Sequence, residues 1–169
     1  MACRPLQSED ITKVVAAFAA LGWGGKMEAQ FERYLAEHEA GTRVTRFAFA
    51  DGAFAGYLNI LWQSGYPPFA DAQVPEINDF NVLPTVRRRG IGTALMEEAE
   101  RVIAARSPVA GVGVGMAAGY GPAQRLYLRR GYVPDGCGLT THERPVVEGE
   151  RVIVDDDLVL YFTRLLGAA

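Results

Sequence analysis

The spacing of apolar residues along the chain predicts about four helices. After Ser8, whose hydroxyl can cap a helix, apolar residues recur at helical intervals until the glycine-rich segment 22–25. A second such pattern ends at Gly41, and a third, over residues 90–106, has one apolar and one charged face. A proline begins a short fourth helix over residues 122–130.

Alternating and β-branched segments predict strands between these helices. Residues 42–50 and 53–63 flank Asp51-Gly52, a strong two-residue hairpin signal, so these two strands should pair antiparallel. Further strand patterns cover residues 2–6, 76–82, 109–116 and 158–166, and the chain after Tyr132 is also extended. The glycine, prolines and aromatic residues of segment 64–73 favour an ordered but irregular loop near a site.

The composition fits one globular domain over residues 1–169, because 49% of the residues are hydrophobic and 22% are charged. The net charge of −3 argues against a general nucleic-acid-binding protein, which should be basic. Cys3 and Cys137 lie far apart without metal-ligand spacing, so we expect neither a disulfide framework nor a zinc site. Acidic residues near the N-terminus and the lack of a long apolar run lead us to expect no signal peptide, no membrane association and a cytoplasmic location.

The segment Arg87-Arg88-Arg89-Gly90-Ile91-Gly92 lies where a strand pattern meets a helix, and it predicts a pyrophosphate site. Its glycines let the backbone pass close to a ligand, and the start of a helix presents N–H groups that attract anions. The arginines add donors suited to phosphate oxygens. A dinucleotide-binding fingerprint would need a small residue at Leu95, and a Walker A loop would need a lysine, so neither explains this segment.

The same segment has the Arg-x-x-Gly-x-Gly pattern of a known coenzyme A loop, and the chain resembles the GNAT superfamily of acetyl-CoA-dependent N-acetyltransferases. The strand from Glu76 to Val82, ahead of the loop, resembles the central strand of that family. Downstream, Ala123-x-x-Leu126-Tyr127-x-x-x-Gly131-Tyr132 resembles a second family signature, whose asparagine position holds Tyr120 here. Together these matches cover roughly residues 74–133, the core of the expected coenzyme-binding region.

The resemblance implies a single α/β domain (α+β in some schemes), in which about four helices flank a twisted mixed sheet of about six or seven strands. It also implies acetyl-CoA as the co-substrate, bound where two central parallel strands splay apart, and no metal. The residues that the resemblance assigns to the coenzyme are Phe80, Asn81, Val82, Arg87, Arg88, Arg89, Gly90, Ile91, Gly92, Thr93, Tyr120, Ala123 and Tyr127.

Two catalytic residues are also implied by the resemblance. Glu76 stands six residues before the last valine of its strand, which is the position of the general base in one branch of the family, and residues 76, 78, 80 and 82 should share one face. Asp79 is the rival base, on the opposite face unless a bulge intervenes. Tyr127 matches the family's tyrosine that protonates the coenzyme thiolate. In the absence of the resemblance, Glu76 reads as a carboxylate that meets solvent or an arginine, and Tyr127 as an aromatic anchor.

We therefore expect direct transfer of an acetyl group from acetyl-CoA to a primary amine in a ternary complex. Glu76, Asp79 and Asp71 would give the acceptor side a negative bias, which favours a small cationic amine. Two alternatives stay open: a non-catalytic acyl-CoA-binding or regulatory module, and an acetyltransferase for peptide N-termini or lysines. The acidic chain argues against an RNA-binding protein that uses the arginines. A homodimer is an expectation from family habit alone.

Overall fold

The computed structural model describes residues 1–23 and 25–167, which form eight strands, five α-helices and three short 3-10 helices. Gly24, in the predicted break between the first two helices, and the last two residues of the predicted domain lie outside this range. The strands are β1 (Ala2–Pro5), β2 (Arg43–Ala50), β3 (Ala53–Leu61), β4 (Glu76–Val82), β5 (Val109–Gly115), β6 (Val133–Thr141), β7 (Arg144–Pro145) and β8 (Leu158–Leu165). The α-helices are α1 (Ile11–Ala19), α2 (Glu28–Glu39), α3 (Pro67–Asp71), α4 (Ile91–Ala104) and α5 (Gly121–Arg129).

The strands form one mixed sheet in the order β1-β2-β3-β4-β5-β8-β6-β7. β4 and β5 are parallel, whereas β2 is antiparallel to both β1 and β3, and β8 is antiparallel to both β5 and β6. The predicted α/β fold with a mixed sheet is confirmed. The sheet has eight strands rather than six or seven, because the extended chain after Tyr132 supplies both β6 and the two-residue β7.

The fifth α-helix, α3, lies in the segment predicted to be an irregular loop. That prediction is wrong for Pro67–Asp71, where two prolines occupy the first turn. A proline there loses no helical hydrogen bond and already has a suitable φ angle. The backbone N–H groups of Phe69 and Ala70 both donate to the carbonyl of Tyr66 at 3.0 Å, and the Phe69 side chain is buried. Local proline geometry and one buried anchor therefore produce a helical turn.

The chain divides into two compact units. The first comprises Met1–Leu61 and Asn78–Arg101, and the second comprises Trp62–Ile77 and the chain from Val102 onwards. The boundaries fall within β4 and within α4, so both elements contribute to each unit. A single domain over the whole chain stays a prediction.

An aromatic cluster forms the core of the first unit. Phe18 from α1, Phe31 from α2, Phe47 from β2 and Tyr57 from β3 are fully buried. The three phenylalanine rings lie 5.4–5.9 Å from the Tyr57 ring, at the steep angles that aromatic pairs prefer. Burying side chains of this size contributes about 1.5–3 kcal/mol each. The cluster holds α1 and α2 against the sheet and fixes the position of the Tyr57 hydroxyl.

The first helical segment begins differently from the prediction. Ser8 opens a 3-10 turn, Ser8–Asp10, and makes no capping hydrogen bond; Gln7 is the capping position. Asp10, which is only 1% exposed, accepts a hydrogen bond from the Gln7 backbone N–H at 3.1 Å. Arg4 of β1 donates two further hydrogen bonds to the Asp10 carboxylate, at 2.6 and 2.7 Å. A part-buried ion pair, rather than a serine hydroxyl, therefore fixes the entry into α1.

In the second unit, the glycines of β5 make room for aromatic rings. Gly111, Gly113 and Gly115 share one face of the strand because side chains alternate along it. A Cβ atom on these glycines would lie 2.3 Å from the Phe69 ring, 2.8 Å from the Tyr161 ring and 2.5 Å from the Tyr120 ring, respectively. The glycine-rich composition of this strand is therefore a packing requirement.

Candidate active site

Glu76, the predicted base, is a buried carboxylate at the start of β4. It lies opposite Gly111 in the parallel register with β5, and its residue is only 5% exposed. The buried hydroxyl of Ser64 donates a hydrogen bond to Glu76 Oε2, and Ser64 Oγ in turn accepts one from the Tyr66 backbone N–H at 3.0 Å. The carboxylate is therefore shielded from solvent. One alternative that the sequence left open, a carboxylate that meets solvent, does not apply. Ser64 was not predicted as a site residue.

Two stacked tyrosines lie in the same unit as Glu76. The rings of Tyr66 and Tyr161 are parallel, with centroids 3.7 Å apart, and the Tyr66 hydroxyl donates to Asp135 Oδ2 at 2.8 Å. Burial, followed by the charges of Glu76, Glu143 and Asp135, raises the pKa of Tyr161 above its usual value. Burial, followed by the hydrogen bond to Asp135, raises the pKa of Tyr66. Both side chains therefore remain neutral phenols at physiological pH.

Tyr127, the predicted acid, also belongs to the second unit. It is the buried residue of α5, with 3% exposure, and its ring centroid lies 6.0 Å from that of Tyr132. Burial, followed by the nearby Tyr120, raises the pKa of Tyr127. The phenol is therefore protonated at neutral pH, which a proton donor must be.

Tyr120 and Ala123, two of the predicted coenzyme residues, flank the start of α5. The Tyr120 ring packs against Gly115 at the end of β5, and its hydroxyl donates to Asp156 Oδ1 at 2.7 Å. The Ala123 side chain is half-buried. In this chain Tyr120 therefore has a packing role, and its predicted contact with the coenzyme stays a prediction.

The arginine- and glycine-containing segment predicted to bind pyrophosphate belongs to the first unit and has an unusual backbone. Arg88 and Gly90 both have left-handed conformations, with φ angles of 61° and 80°, and the stretch from Arg87 to Gly90 is exposed. For arginine this conformation is uncommon, and such strained residues concentrate at ligand-binding sites. Ala94 donates the first helical hydrogen bond of α4 to the Gly90 carbonyl at 3.0 Å. The N–H groups of residues 91–93 precede this first helical donor, so they have no acceptor within the helix and can face an anion.

The three arginines of this segment differ in their contacts. Arg87 Nε donates to the Val82 carbonyl at 3.1 Å and so ties the segment to the end of β4. Arg89 pairs at 2.7 Å with Asp51 in the β2–β3 hairpin, and this pair lowers the pKa of Asp51. Both partners of this pair are at least half exposed, so the pair is weak and a phosphate could replace the carboxylate. Thr93 is exposed and Ile91 is buried as part of the apolar face of α4.

Asp79 interrupts β4 with a φ angle of 47°. The expected alternation of residues 76, 78, 80 and 82 on one face is therefore wrong, because a left-handed residue does not continue the pleat. The Asp79 carboxylate accepts hydrogen bonds from five side chains: Lys26, Gln30, Tyr34, Tyr57 and Asn81. We call this group the Asp79 cluster. Apart from Asp79 and Asn81, its members were not predicted as site residues.

The Asp79 cluster changes the ionisation of its own tyrosines. Burial, followed by the charge of Asp79, raises the pKa of both Tyr34 and Tyr57. Lys26 lies with its Nζ atom 2.6 Å from Asp79 Oδ1, so the carboxylate already has a cation beside it. The negative bias expected from Asp79 is therefore largely offset within the first unit. Asp71, another residue of that predicted bias, is exposed at the end of α3 in the second unit.

A close approach of two strands shapes the backbone beside Asn81 and Val82. A Cβ atom on Gly56 of β3 would lie 2.4 Å from the Asn81 carbonyl oxygen and 3.0 Å from the Val82 Cα atom. One residue further on, the Leu83 N–H donates to the Ala55 carbonyl at 2.9 Å. The glycine thus lets β3 contact the backbone of the predicted coenzyme-binding stretch.

Within residues 1–23 and 25–167, no three His, Cys, Asp or Glu side chains lie together as a metal site would require. No helix in the same part of the chain is both long and apolar enough to cross a membrane.

Comparison with known proteins identifies the family. The profile of the Acetyltransferase (GNAT) family matches residues 9–132. A comparison with curated proteins found no match.

Several solved acetyltransferases have a similar structure. Ribosomal-protein-alanine N-acetyltransferase from Brucella melitensis has a TM-score of 0.69 at 16% identity, with 98% of this chain and 100% of that chain covered. Aminoglycoside 6'-acetyltransferase type Ii has a TM-score of 0.65 at 14% identity, covering 98% and 97%. Nourseothricin acetyltransferase has a TM-score of 0.55 at 26% identity, covering 75% and 67%. With the family match over most of its length, the chain belongs to the GNAT family of acetyltransferases.

Proposed function

We propose that this acyltransferase moves the acetyl group of acetyl-CoA directly to a primary amine within a ternary complex. The observation that carries the proposal is the segment 87–93, where left-handed Arg88 and Gly90 lead into the N-terminus of α4. Such a backbone presents several N–H groups to one anion and needs no sequence-specific side chain. A pyrophosphate is the anion expected there in a member of this family.

The first unit would supply most of the coenzyme contacts. The N–H groups of residues 88–92 would bind the pyrophosphate, and the backbone of Val82 would hold the acetyl end. Open space around Gly90, where a Cβ atom would meet nothing within 4 Å, is consistent with a ligand at this position. Bound acetyl-CoA supplies the activated thioester, and the protein's part is to orient it and to move protons.

Glu76 is the proposed general base. Its buried carboxylate has one oxygen bound by Ser64, which fixes its orientation. Asp79 is a weaker candidate for a bound acceptor amine, because its two oxygens accept five side-chain hydrogen bonds and Oδ1 is already directed at the Lys26 ammonium. The role of Glu76 would be to accept a proton from the acceptor ammonium, directly or through a water.

Tyr127 is the proposed general acid. Its raised pKa keeps the phenol protonated at neutral pH, so it can donate to the thiolate that leaves as the amide forms. The ring can keep its contact with the Tyr132 ring without the hydroxyl, so loss of the hydroxyl should change proton transfer more than it changes folding.

The proposed acceptor is a small cationic amine. The support is the set of carboxylates in the second unit, where Glu76, Asp135 and Glu143 all act on Tyr161. Two of the similar structures are named as acetyltransferases of an aminoglycoside and of nourseothricin. A third is named for a ribosomal protein's alanine, which keeps a peptide N-terminus as the competing acceptor.

A turnover assay tests this proposal. Release of free thiol from acetyl-CoA should be measured with spermidine, with an aminoglycoside and with an alanine-initiated peptide. We expect saturable turnover with at least one cationic amine and no burst of acetyl-enzyme, because transfer is direct. Preference for the peptide would replace the proposed acceptor class. Binding of acetyl-CoA without turnover of any amine would favour the non-catalytic module.

A further inference from the structure

Lys26 is held in place to a degree that is unusual for a lysine. It lies in the connection between α1 and α2, and its side chain is only 20% exposed. Its Nζ atom is 2.6 Å from Asp79 Oδ1 and 5.5 Å from the centre of the Tyr57 ring. A carboxylate and an aromatic face are the two groups that hold an ammonium most firmly. The amine therefore has a defined position instead of moving through solvent.

That position adjoins the stretch expected to hold the acetyl group. Asp79 Oδ1, which binds Lys26, also accepts a hydrogen bond from Asn81 Nδ2 at 2.8 Å. Asn81 immediately precedes Val82, the residue whose backbone is proposed to hold the acetyl end. The Lys26 amine and this stretch thus share one carboxylate oxygen within the first unit.

The rest of the Asp79 cluster can hold the carboxylate without Lys26. Tyr34, Tyr57 and Gln30 all donate to Oδ2, the other oxygen of Asp79. Loss of the lysine charge would leave these three donors and Asn81 in place, so the carboxylate would not be left unpaired. A neutral lysine derivative is therefore compatible with this site.

We infer that Lys26 is a self-acetylation site of this protein. The inference rests on the proposed function, since it needs acetyl-CoA bound to the segment 80–93. The Lys26 ammonium gives one proton to Asp79 Oδ1, from which it passes to solvent, and the neutral amine attacks the thioester carbonyl. The N–C bond forms and the C–S bond breaks. A second proton leaves the nitrogen, and the thiolate takes up a proton to give free coenzyme A and an amide at Lys26.

The chain provides its own control for this reaction. It contains only two lysines, Lys13 and Lys26. Lys13 is exposed on α1, and exposed lysines react slowly with acetyl-CoA without any catalyst. The two residues can be compared in the same molecule at the same time, without any substitution.

The test is peptide mass spectrometry of the intact protein incubated with acetyl-CoA, with separate rates for Lys13 and Lys26. We expect Lys26 to react about 100-fold faster than Lys13, the lower end of what a positioned acid–base group contributes. The rate should not depend on protein concentration, because donor and acceptor lie in one molecule. Asp79→Asn should remove most of the difference, whereas Lys13→Arg should leave the rate at Lys26 unchanged.

The possible failures are distinguishable. If titration calorimetry detects acetyl-CoA binding but Lys26 reacts no faster than Lys13, the inference is wrong and the proposed function stands. If acetyl-CoA does not bind to the folded protein, both fail. Should Asp79→Asn not fold, the comparison of the two lysines in the unmodified protein still decides the question.

Discussion

At the scale of single residues, three ionisable side chains differ in their surroundings. Glu76 is buried and oriented by Ser64, Asp79 is the centre of a five-donor cluster, and Tyr127 is a buried phenol with a raised pKa. From the sequence, Glu76 and Asp79 were rival candidates for the general base. Their hydrogen-bond partners separate them, and those partners come from parts of the chain that no local pattern connects.

The Glu76→Gln substitution tests the base. It keeps the size of the side chain and its contact with Ser64 but removes the ability to accept a proton. We expect kcat to fall by about 100-fold or more, while the affinity for acetyl-CoA is unchanged. Steady-state kinetics and calorimetry measure these two effects. Glu148→Gln is the matched control, because Glu148 is exposed and should lose no activity. Equal kinetics of the two variants would remove Glu76 from the mechanism.

The Tyr127→Phe substitution tests the acid. The ring keeps its packing against Tyr132, so we expect the free energy of unfolding to change by less than about 1.5 kcal/mol, the usual net worth of one hydrogen bond. The turnover number should fall at least about tenfold, since the thiolate would leave without a proton donor. Steady-state kinetics beside chemical denaturation separates the two quantities. A variant as active as the original protein would show that Tyr127 is an aromatic anchor only.

At the scale of elements, two glycines in central strands act by leaving space. Gly56 lets β3 contact the backbone at Asn81, and Gly111 leaves room for the Phe69 ring above β5. In the described part of the chain, Gly56 and Gly111 are not among the glycines with a left-handed φ angle. Their importance therefore lies in packing rather than in turn geometry. Each close contact fixes a segment near a candidate catalytic residue.

The Gly56→Ala substitution should therefore destabilise the protein. A Cβ atom 2.4 Å from the Asn81 carbonyl oxygen cannot be relieved by a side-chain rotation, because the atom that it meets belongs to the backbone. Overpacking of this kind costs about 1–3 kcal/mol. Urea denaturation measures the loss, and Gly119→Ala is the control, since a Cβ atom there would meet nothing within 4 Å. An unchanged midpoint for Gly56→Ala would mean that β3 and β4 are not as close as described.

The junction between β1 and α1 gives a prediction about pH. Burial alone would raise the pKa of Asp10, but the hydrogen bonds from Arg4 and from the Gln7 backbone outweigh it, and the pKa is lowered. A carboxyl group with a lower pKa in the folded state stabilises the protein above its unfolded pKa, near 3.9. That contribution is lost as the pH falls through the folded pKa.

The test is the free energy of unfolding of the original protein and of Asp10→Asn between pH 3 and pH 7. We expect Asp10→Asn to be less stable by about 2 kcal/mol at pH 7, the range for hydrogen bonds to a charged group. The difference should begin to shrink below the unfolded pKa, near 3.9, and should disappear once the pH is below the lower pKa of the folded state. A stability difference that is independent of pH would mean that Arg4 does not stabilise the charged form of the Asp10 carboxylate in the folded protein.

At the scale of the whole molecule, the sequence was sufficient for the family and for most elements. The Asp51-Gly52 hairpin, the helix after Gly90 and the strand Glu76–Val82 all depend on local signals, and all are present. Alternation failed at Asp79 because its left-handed backbone conformation depends on contacts distant in sequence, which no local pattern displays. The sequence did not indicate Ser64 and Lys26 as site residues. Their partners, Glu76 and Asp79 respectively, are distant in sequence, and no spacing rule identifies such pairs.

The central claim is that this chain binds acetyl-CoA through the segment 87–93, and calorimetric titration of the purified protein tests it most directly. Acetyl-CoA should bind saturably at one site per chain, while NAD and ATP under the same conditions should bind far more weakly or not at all. Arg87→Ala, which removes the tie to Val82, should weaken the binding and leave the fold intact. A folded sample that gives no heat with acetyl-CoA, or equal binding of all three compounds, would contradict the account.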